Sequence, residues 1–256
     1  MPMPTIIAMT SKKGGTGKTT LTLGLGAGLA LKNKKVLLVD MDSQGNTSSS
    51  VGCDEPENHI GKLLLNPGLW AQTLVRGEIM DILPAATETA ESEALMTVKK
   101  GSAYRLKELL GEYAEFYDYV LIDCPTNMGT MTEMALNAAH FYIVPMQGEN
   151  FSFKGLAQIR AFVATLDKPY LNPNLKFAGV VRNKFTENTR FGKMIDQNLQ
   201  QDQDLNLFKT RVRICQPIME STFVAQSIFQ FAPKSNGAKD FSDLTEELLL
   251  RIEGIK

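Results

Sequence analysis

Residues 11–20 read Ser11-Lys12-Lys13-Gly14-Gly15-Thr16-Gly17-Lys18-Thr19-Thr20, and their surroundings decide the fold. The apolar segment Thr5–Thr10 leads into this stretch, and residues Lys18–Asn33 carry a helical pattern after it. A strand, a glycine-rich turn and a helix in that order form a phosphate cradle. Glycines let successive backbone N–H groups approach phosphate oxygens that side chains would block. The helix N-terminus adds positive potential. Lys18 brings an ammonium to the β- and γ-phosphates, and the Thr19 hydroxyl is a ligand for Mg²⁺. Gly14, Gly15, Thr16, Gly17 and Thr20 complete the expected nucleotide-binding set.

Working outward, short apolar runs alternate with helical stretches. Strands are expected at Thr5–Thr10, Lys35–Asp40, Met80–Pro84, Tyr117–Asp123, Phe141–Pro145, Phe177–Asn183 and Leu207–Val212. Helices are expected at Lys18–Asn33, Tyr104–Glu115, Thr130–Ala139, Ser152–Leu166, Arg190–Gln201 and Ser242–Ile252. Runs such as Val36-Leu37-Leu38-Val39 and Tyr119-Val120-Leu121-Ile122 are apolar at every position, the pattern of strands buried on both faces. The alternation implies an α/β fold, a doubly wound and mostly parallel sheet with helices on both faces. Residues 1–256 are expected to form one such domain.

Ligands in these sheets sit at the carboxyl ends of the strands, and acids cluster there. The second strand runs into Asp40-Met41-Asp42-Ser43-Gln44-Gly45-Asn46. Asp42 is placed to orient an attacking water or accept its proton, and Asp40 to hold the Mg²⁺ shell or the loop. The fourth strand ends in Asp123-Cys124-Pro125 after an apolar run, so Asp123 would meet Mg²⁺ through water. Cys124 reads as a small buried residue.

Composition narrows the class. Apolar residues make up 43% of the chain and the net charge is −1, so the whole molecule is no obvious polyanion binder. Between Lys168 and Lys239, however, eleven Lys/Arg face five acids. Such a stretch suits either a phosphate-backbone contact or a solvated surface. The three cysteines form no C-x-x-C pair, which fits a reducing cytoplasm. His59 and His140 have no evident third ligand, so no metal beyond the nucleotide's Mg²⁺ is expected. Neither a signal peptide nor a membrane-spanning run is found.

The loop departs from the general G-x-x-x-x-G-K-[ST] pattern by carrying Lys12 at the first glycine and a second lysine, Lys13, inside. Lys13-Gly14-Gly15-Thr16-Gly17-Lys18-Thr19 resembles the deviant Walker motif K-G-G-x-G-K-[ST] of the ParA/MinD superfamily. Residues 40–46 are similar to the family's D-x-D-P-Q-x-N, with Ser43 at the proline. Val144-Pro145-Met146-Gln147-Gly148-Glu149-Asn150-Phe151 and Pro233-Lys234-Ser235-Asn236-Gly237-Ala238 are similar to two further ParA stretches.

The resemblance implies an ATP hydrolase, slow and partner-stimulated, that uses ATP and Mg²⁺. In that family the first lysine, here Lys13, reaches across an ATP-bound homodimer to the other subunit's phosphates. Lys13, Lys18 and Asp42 are then the catalytic set. Asn183, at a strand end, is implied to contact adenine. ATP-bound dimers of the family bind nonspecific DNA, with Lys184, Arg190, Lys193, Arg211 and Arg213 as candidate contacts here. A ParB-like or other adaptor is the implied partner, and the nucleoid the implied location. Cargo would be a plasmid, a chromosomal origin or a protein organelle such as a carboxysome. The first strand begins by Thr5, so the chain looks like the small form, without an N-terminal helix-turn-helix. The competing reading is a MinD-like membrane ATPase, which needs a basic amphipathic C-terminal helix. Residues 246–256 are acidic as often as basic and read better as a packing helix.

Overall fold

A computed structural model describes residues 3–147, 153–166, 172–185, 199 and 202–255. Among the described residues, seven strands form one sheet: β1 (Thr5–Met9), β2 (Val36–Asp40), β3 (Asp81–Leu83), β4 (Tyr119–Asp123), β5 (Phe141–Gln147), β6 (Lys176–Phe185) and β7 (Arg211–Arg213). Their spatial order is β3-β2-β4-β1-β5-β6-β7. Every pairing between these strands is parallel. The chain first builds outward from β1 to one side, then returns to extend the other. That leaves β1 between β4 and β5, at the point where ligands of such sheets bind.

The apolar strands serve two cores at once. Ile6, Ala8, Leu37, Val39, Val120 and Ile122 face one hydrophobic cluster. Ile7, Met9, Val36, Leu38 and Leu121 face the other. Successive side chains point to opposite faces, and both faces are covered, so the runs read as continuously apolar.

The helices are α1 (Lys18–Leu31), α2 (Asn46–Ser49), α3 (Ile60–Leu65), α4 (Trp70–Thr73), α5 (Thr89–Thr97), α6 (Arg105–Tyr113), α7 (Thr130–Ala138), α8 (Phe153–Leu166), α9 (Gln216–Phe223), α10 (Ile228–Phe231) and α11 (Asn236–Ile255). α1 and α11 approach closely. A Cβ on Gly24 would lie 2.2 Å from the Phe241 ring, so this crossing requires glycine. Phe241, Leu244, Leu248 and Ile252 of α11 are buried in the cluster that holds Leu21, Leu25 and Leu29 of α1.

Three expectations change in detail. The last helix begins at Asn236 rather than Ser242, because Ser235 Oγ accepts the Ala238 N–H and caps it. The last strand shortens to Arg211–Arg213. Ahead of it the chain is held by other donors: Phe208 N–H bonds to Val180 O, and Arg182 Nη2 donates to the carbonyls of Phe208 and Lys209. The helices α2, α3, α4, α5, α9 and α10 were not expected, and most are a turn or two long. The expected helix Arg190–Gln201 lies almost wholly outside the described residues.

Candidate nucleotide-binding site

Strand register sets the site. Asp123 at the end of β4 pairs with Met9 of β1 on one side and with Asp40 of β2 on the other. The glycine turn that follows β1 therefore rises directly beside two strand-end carboxylates.

The turn itself is braced from below. Gly17 has φ 92°, and a Cβ there would lie 1.7 Å from Asn183 Nδ2. Only glycine meets both conditions. Asn183 Nδ2 donates to Thr16 O at 2.9 Å. Gln147 Nε2 donates to Gly15 O at 2.7 Å, and Lys184 Nζ reaches the same oxygen at 3.4 Å. Thr16 Oγ1 closes the turn onto Lys13 O at 3.3 Å. Gly14 and Gly15 have no heavy atom near their missing Cβ positions, so their side of the turn is open. α1 begins at Lys18 with no side-chain cap, which leaves its first N–H groups to a ligand.

Within this frame the two lysines differ. Lys18 is only 7% exposed, whereas Lys12 and Lys13 are exposed. Thr19 Oγ1 donates to Asp123 Oδ2 at 2.6 Å. Thr20 is half-buried and lines a cavity between α1, the turn after α2, and α9.

The carboxylates also differ. Both oxygens of Asp40 are engaged: Oδ1 accepts Asp42 N–H at 3.1 Å, and Oδ2 accepts the Ser48 N–H and Oγ–H at 2.9 and 2.8 Å. Of the two roles expected for Asp40, holding the loop is the one its contacts serve. Asp123 Oδ2 accepts from Thr19 and Thr47, while its Oδ1 is buried without a partner. Burial raises both carboxyls above the ordinary range, and for Asp40 the neighbouring Asp123 adds to the effect. Lys18 and the two hydroxyls act in the opposite sense on Asp123. Two buried acids and an unpartnered carboxylate oxygen fit a divalent cation beside Thr19.

Asp42 is half-buried at the mouth. Its Oδ1 accepts Gln44 N–H at 3.1 Å and its carbonyl accepts Gly45 N–H at 2.9 Å. These bonds stiffen the loop where Ser43 replaces the family's proline. Cys124 is fully buried, and burial pushes its thiol up, which suits an inert core residue.

The other candidate residues occupy different settings. Asn183 has no exposed surface; its amide nitrogen meets the turn backbone, and its amide oxygen is buried without a partner among the described residues. Arg213 is bound to Asp240 of α11, with Nε and Nη2 donating across 2.5–3.1 Å. Lys184 is exposed at a bulge in β6, with φ 49°. Arg190 and Lys193 lie outside the described residues. Sequence reading missed Thr47, Ser48 and Gln147 as parts of the site. Gln147 alone carried a signal, as the glutamine of a motif that the family shares.

The AAA domain family model matches residues 4–177. The sporulation initiation inhibitor protein Soj of Bacillus subtilis is 32% identical over 253 residues, covering 96% of this chain and 98% of that protein. The chromosome partitioning protein ParA of Myxococcus xanthus is 31% identical over 250 residues, with 96% and 88% covered. A solved Mycobacterium smegmatis protein, described as cobyrinic acid a,c-diamide synthase with bound ATP analog and magnesium, superimposes with a TM-score of 0.86 at 27% identity, covering 99% of this chain and 97% of that one. The loop with two lysines, the paired strand-end acids and near full-length similarity to Soj and ParA agree: this chain belongs to the ParA family of P-loop ATPases.

Proposed function

We propose that this protein is an ATP-driven positioning machine: it closes into a dimer on ATP, binds nonspecific DNA in that state, and moves or spaces a cargo as an adaptor triggers hydrolysis. ATP and Mg²⁺ are its ligands. The observation that carries the reading is the split between the loop lysines, Lys18 buried in the cradle and Lys13 exposed at its rim.

Lys18, the turn's N–H groups and the start of α1 hold the phosphates. Thr19 and Asp123 would hold the metal, which would neutralise phosphate charge there. Asp42 orients the water that attacks the γ-phosphorus, and the bond to the β–γ bridging oxygen breaks to give ADP and phosphate. Lys13 has no phosphate of its own to meet from the rim, so it serves the opposite protomer's nucleotide. Two facing triphosphates repel strongly, and one borrowed cation per site offsets that repulsion. ATP binding and dimerisation then become one coupled event.

Exposed Lys184 supports the DNA reading, together with Arg211 and with Arg190 and Lys193 outside the described residues. Pairing the basic stretches of two protomers would raise the local charge. The membrane alternative finds less support, because α11 buries Phe241, Leu244, Leu248 and Ile252 in the core and leaves Leu250 as its one large apolar side chain exposed among the described residues. Among the described residues no helix is long and apolar enough to cross a membrane.

DNA pelleting with ATP, with ADP and without nucleotide tests the proposal. Binding should need ATP and fall steeply as salt rises. Lys13→Ala should abolish both dimer and DNA binding while single protomers still bind nucleotide. A Lys13→Ala protein that dimerises and pellets like the parent would overturn the cross-subunit lysine.

A further inference from the structure

The short helix α2 holds both strand-end acids through adjacent residues. Thr47 Oγ1 donates to Asp123 Oδ2 at 2.7 Å, and Ser48 donates to Asp40 Oδ2 through its N–H and its hydroxyl. Ser48 Oγ also accepts the Ala85 N–H at 2.9 Å, which fastens the helix to the chain beyond β3. Thr47 and Ser48 are almost fully buried, with 0% and 1% exposure. The chain enters α2 straight from the loop that bears Asp42. Gly45 N–H bonds to Asp42 O, and Ser49 N–H bonds to Gly45 O. The Asp42 loop and α2 are therefore one hydrogen-bonded unit, and Thr47 is its contact with Asp123.

At Asp123 one oxygen takes two hydroxyl donors, Thr19 and Thr47, and the other oxygen is buried with none. A carboxylate fixed by two donors on one side cannot rotate without breaking a bond at each. Its remaining oxygen is thus held in a constant direction, beside the hydroxyl of Thr19. Groups that orient a metal's ligands in this way tune the metal's affinity without touching it.

We infer that Thr47 is a positioning residue for the nucleotide's magnesium: its hydroxyl fixes Asp123 so that the free oxygen faces the ion's water shell, and it ties the Asp42 loop to the metal. The inference rests on the reading that this site holds ATP and magnesium.

The test titrates magnesium at a fixed concentration of a fluorescent, non-hydrolysable ATP analogue and follows binding, not turnover. Thr47→Ala and the isosteric Thr47→Val should each raise the magnesium needed for half-maximal binding by about tenfold or more, whereas Thr47→Ser stays within about twofold of the parent. Binding of the analogue in excess chelator should be the same in all four proteins. A merely structural role would make Thr47→Ser resemble Thr47→Ala, since both lose the methyl group, and would spare Thr47→Val. Either pattern overturns the inference, as does a Thr47→Val protein that titrates like the parent. Should Thr47→Ala fail to fold, the Val and Ser variants carry the comparison alone. A parent that binds the analogue without regard to magnesium would overturn the metal reading of the whole site. A responsive parent whose variants follow it would overturn only the role of Thr47.

Discussion

The site divides into an inner cradle and an outer rim, and the same residue types behave differently in each. Lys18, Asp40 and Asp123 are at most 7% exposed, and the two carboxylates take their hydrogen-bond donors from within the protomer. Lys13 is exposed and Asp42 half-buried; the Asp42 carboxylate accepts from the Gln44 N–H of its own loop, and only the Asp42 backbone N–H, among the described residues, reaches inward to Asp40. A buried charge must be matched locally or it is too costly to keep. A rim charge carries no such demand, so its partner can arrive from outside. The inner set should therefore govern binding in a single protomer, and the rim what happens once a second body docks.

Replacing Lys18 tests that division with the largest expected effect. Lys18→Ala removes the buried lysine that the proposed function sets against the phosphates. Affinity for an ATP analogue should fall at least about 100-fold, which is about 2.7 kcal/mol. Equilibrium binding at protein concentrations too low for dimers would measure it. If Lys18→Ala binds within a few-fold of the parent, the cradle is not the seat of affinity and the comparison breaks.

Asp42→Ala probes the rim. Turnover should drop by about 100-fold or more, the usual cost of losing a group that orients or deprotonates the nucleophile. Affinity for the analogue should change by no more than about threefold, because Asp42 makes no bond to the glycine turn and shares no hydrogen bond with Lys18. Phosphate release alongside analogue binding separates the two. A parallel loss of affinity would move Asp42 into the inner set.

How much was legible in the sequence follows the same line. The cradle could be read because its chemistry is local: the glycines, Lys18 and Thr19 are neighbours in the chain, and backbone conformation alone makes them a site. The central strands could be read because burial on both faces writes an unbroken apolar run, whereas β7, Arg211-Val212-Arg213, carries no such run and meets only the end of the expected segment. Asp40 and Asp123 were visible as strand-end acids, but not their division of labour. That depends on Thr47 and Ser48, two hydroxyls in a Ser/Thr-rich stretch that looks like an ordinary polar loop. Their importance comes from a register that sets Asp40 level with Asp123, a fact of pairing across the sheet. Asn183 shows the same dependence on tertiary contact. The strand end could be read, but not the close approach of Gly17 that brings its amide nitrogen to the turn backbone. The short helices α2 and α4 are held by tertiary contacts rather than by propensity, so no periodicity announced them.

Arg213 gives the smallest effect and the sharpest question about the rim. In the sequence it counts among the basic residues between Lys168 and Lys239, but the next acid, Asp240, lies just past that window. In the fold Asp240 is 5% exposed and accepts from the guanidinium and from the Arg213 N–H. The arginine is thus spoken for by a nearly buried carboxylate. Its side chain is 35% exposed, so water recovers part of any loss. Arg213→Ala should destabilise the protein by about 1–2 kcal/mol, chiefly by leaving Asp240 short of its donors. Lys184→Ala should change stability by no more than about 0.5 kcal/mol, since its side chain is exposed. On DNA the order should reverse. Lys184→Ala should lower the slope of log affinity against log salt by about 1, while Arg213→Ala leaves that slope nearly unchanged. Denaturant melts and salt-titrated DNA binding on the same two proteins settle both halves. If Arg213→Ala flattens the salt dependence as much as Lys184→Ala, the arginine leaves Asp240 for phosphate when DNA binds, and the rim extends to the start of α11.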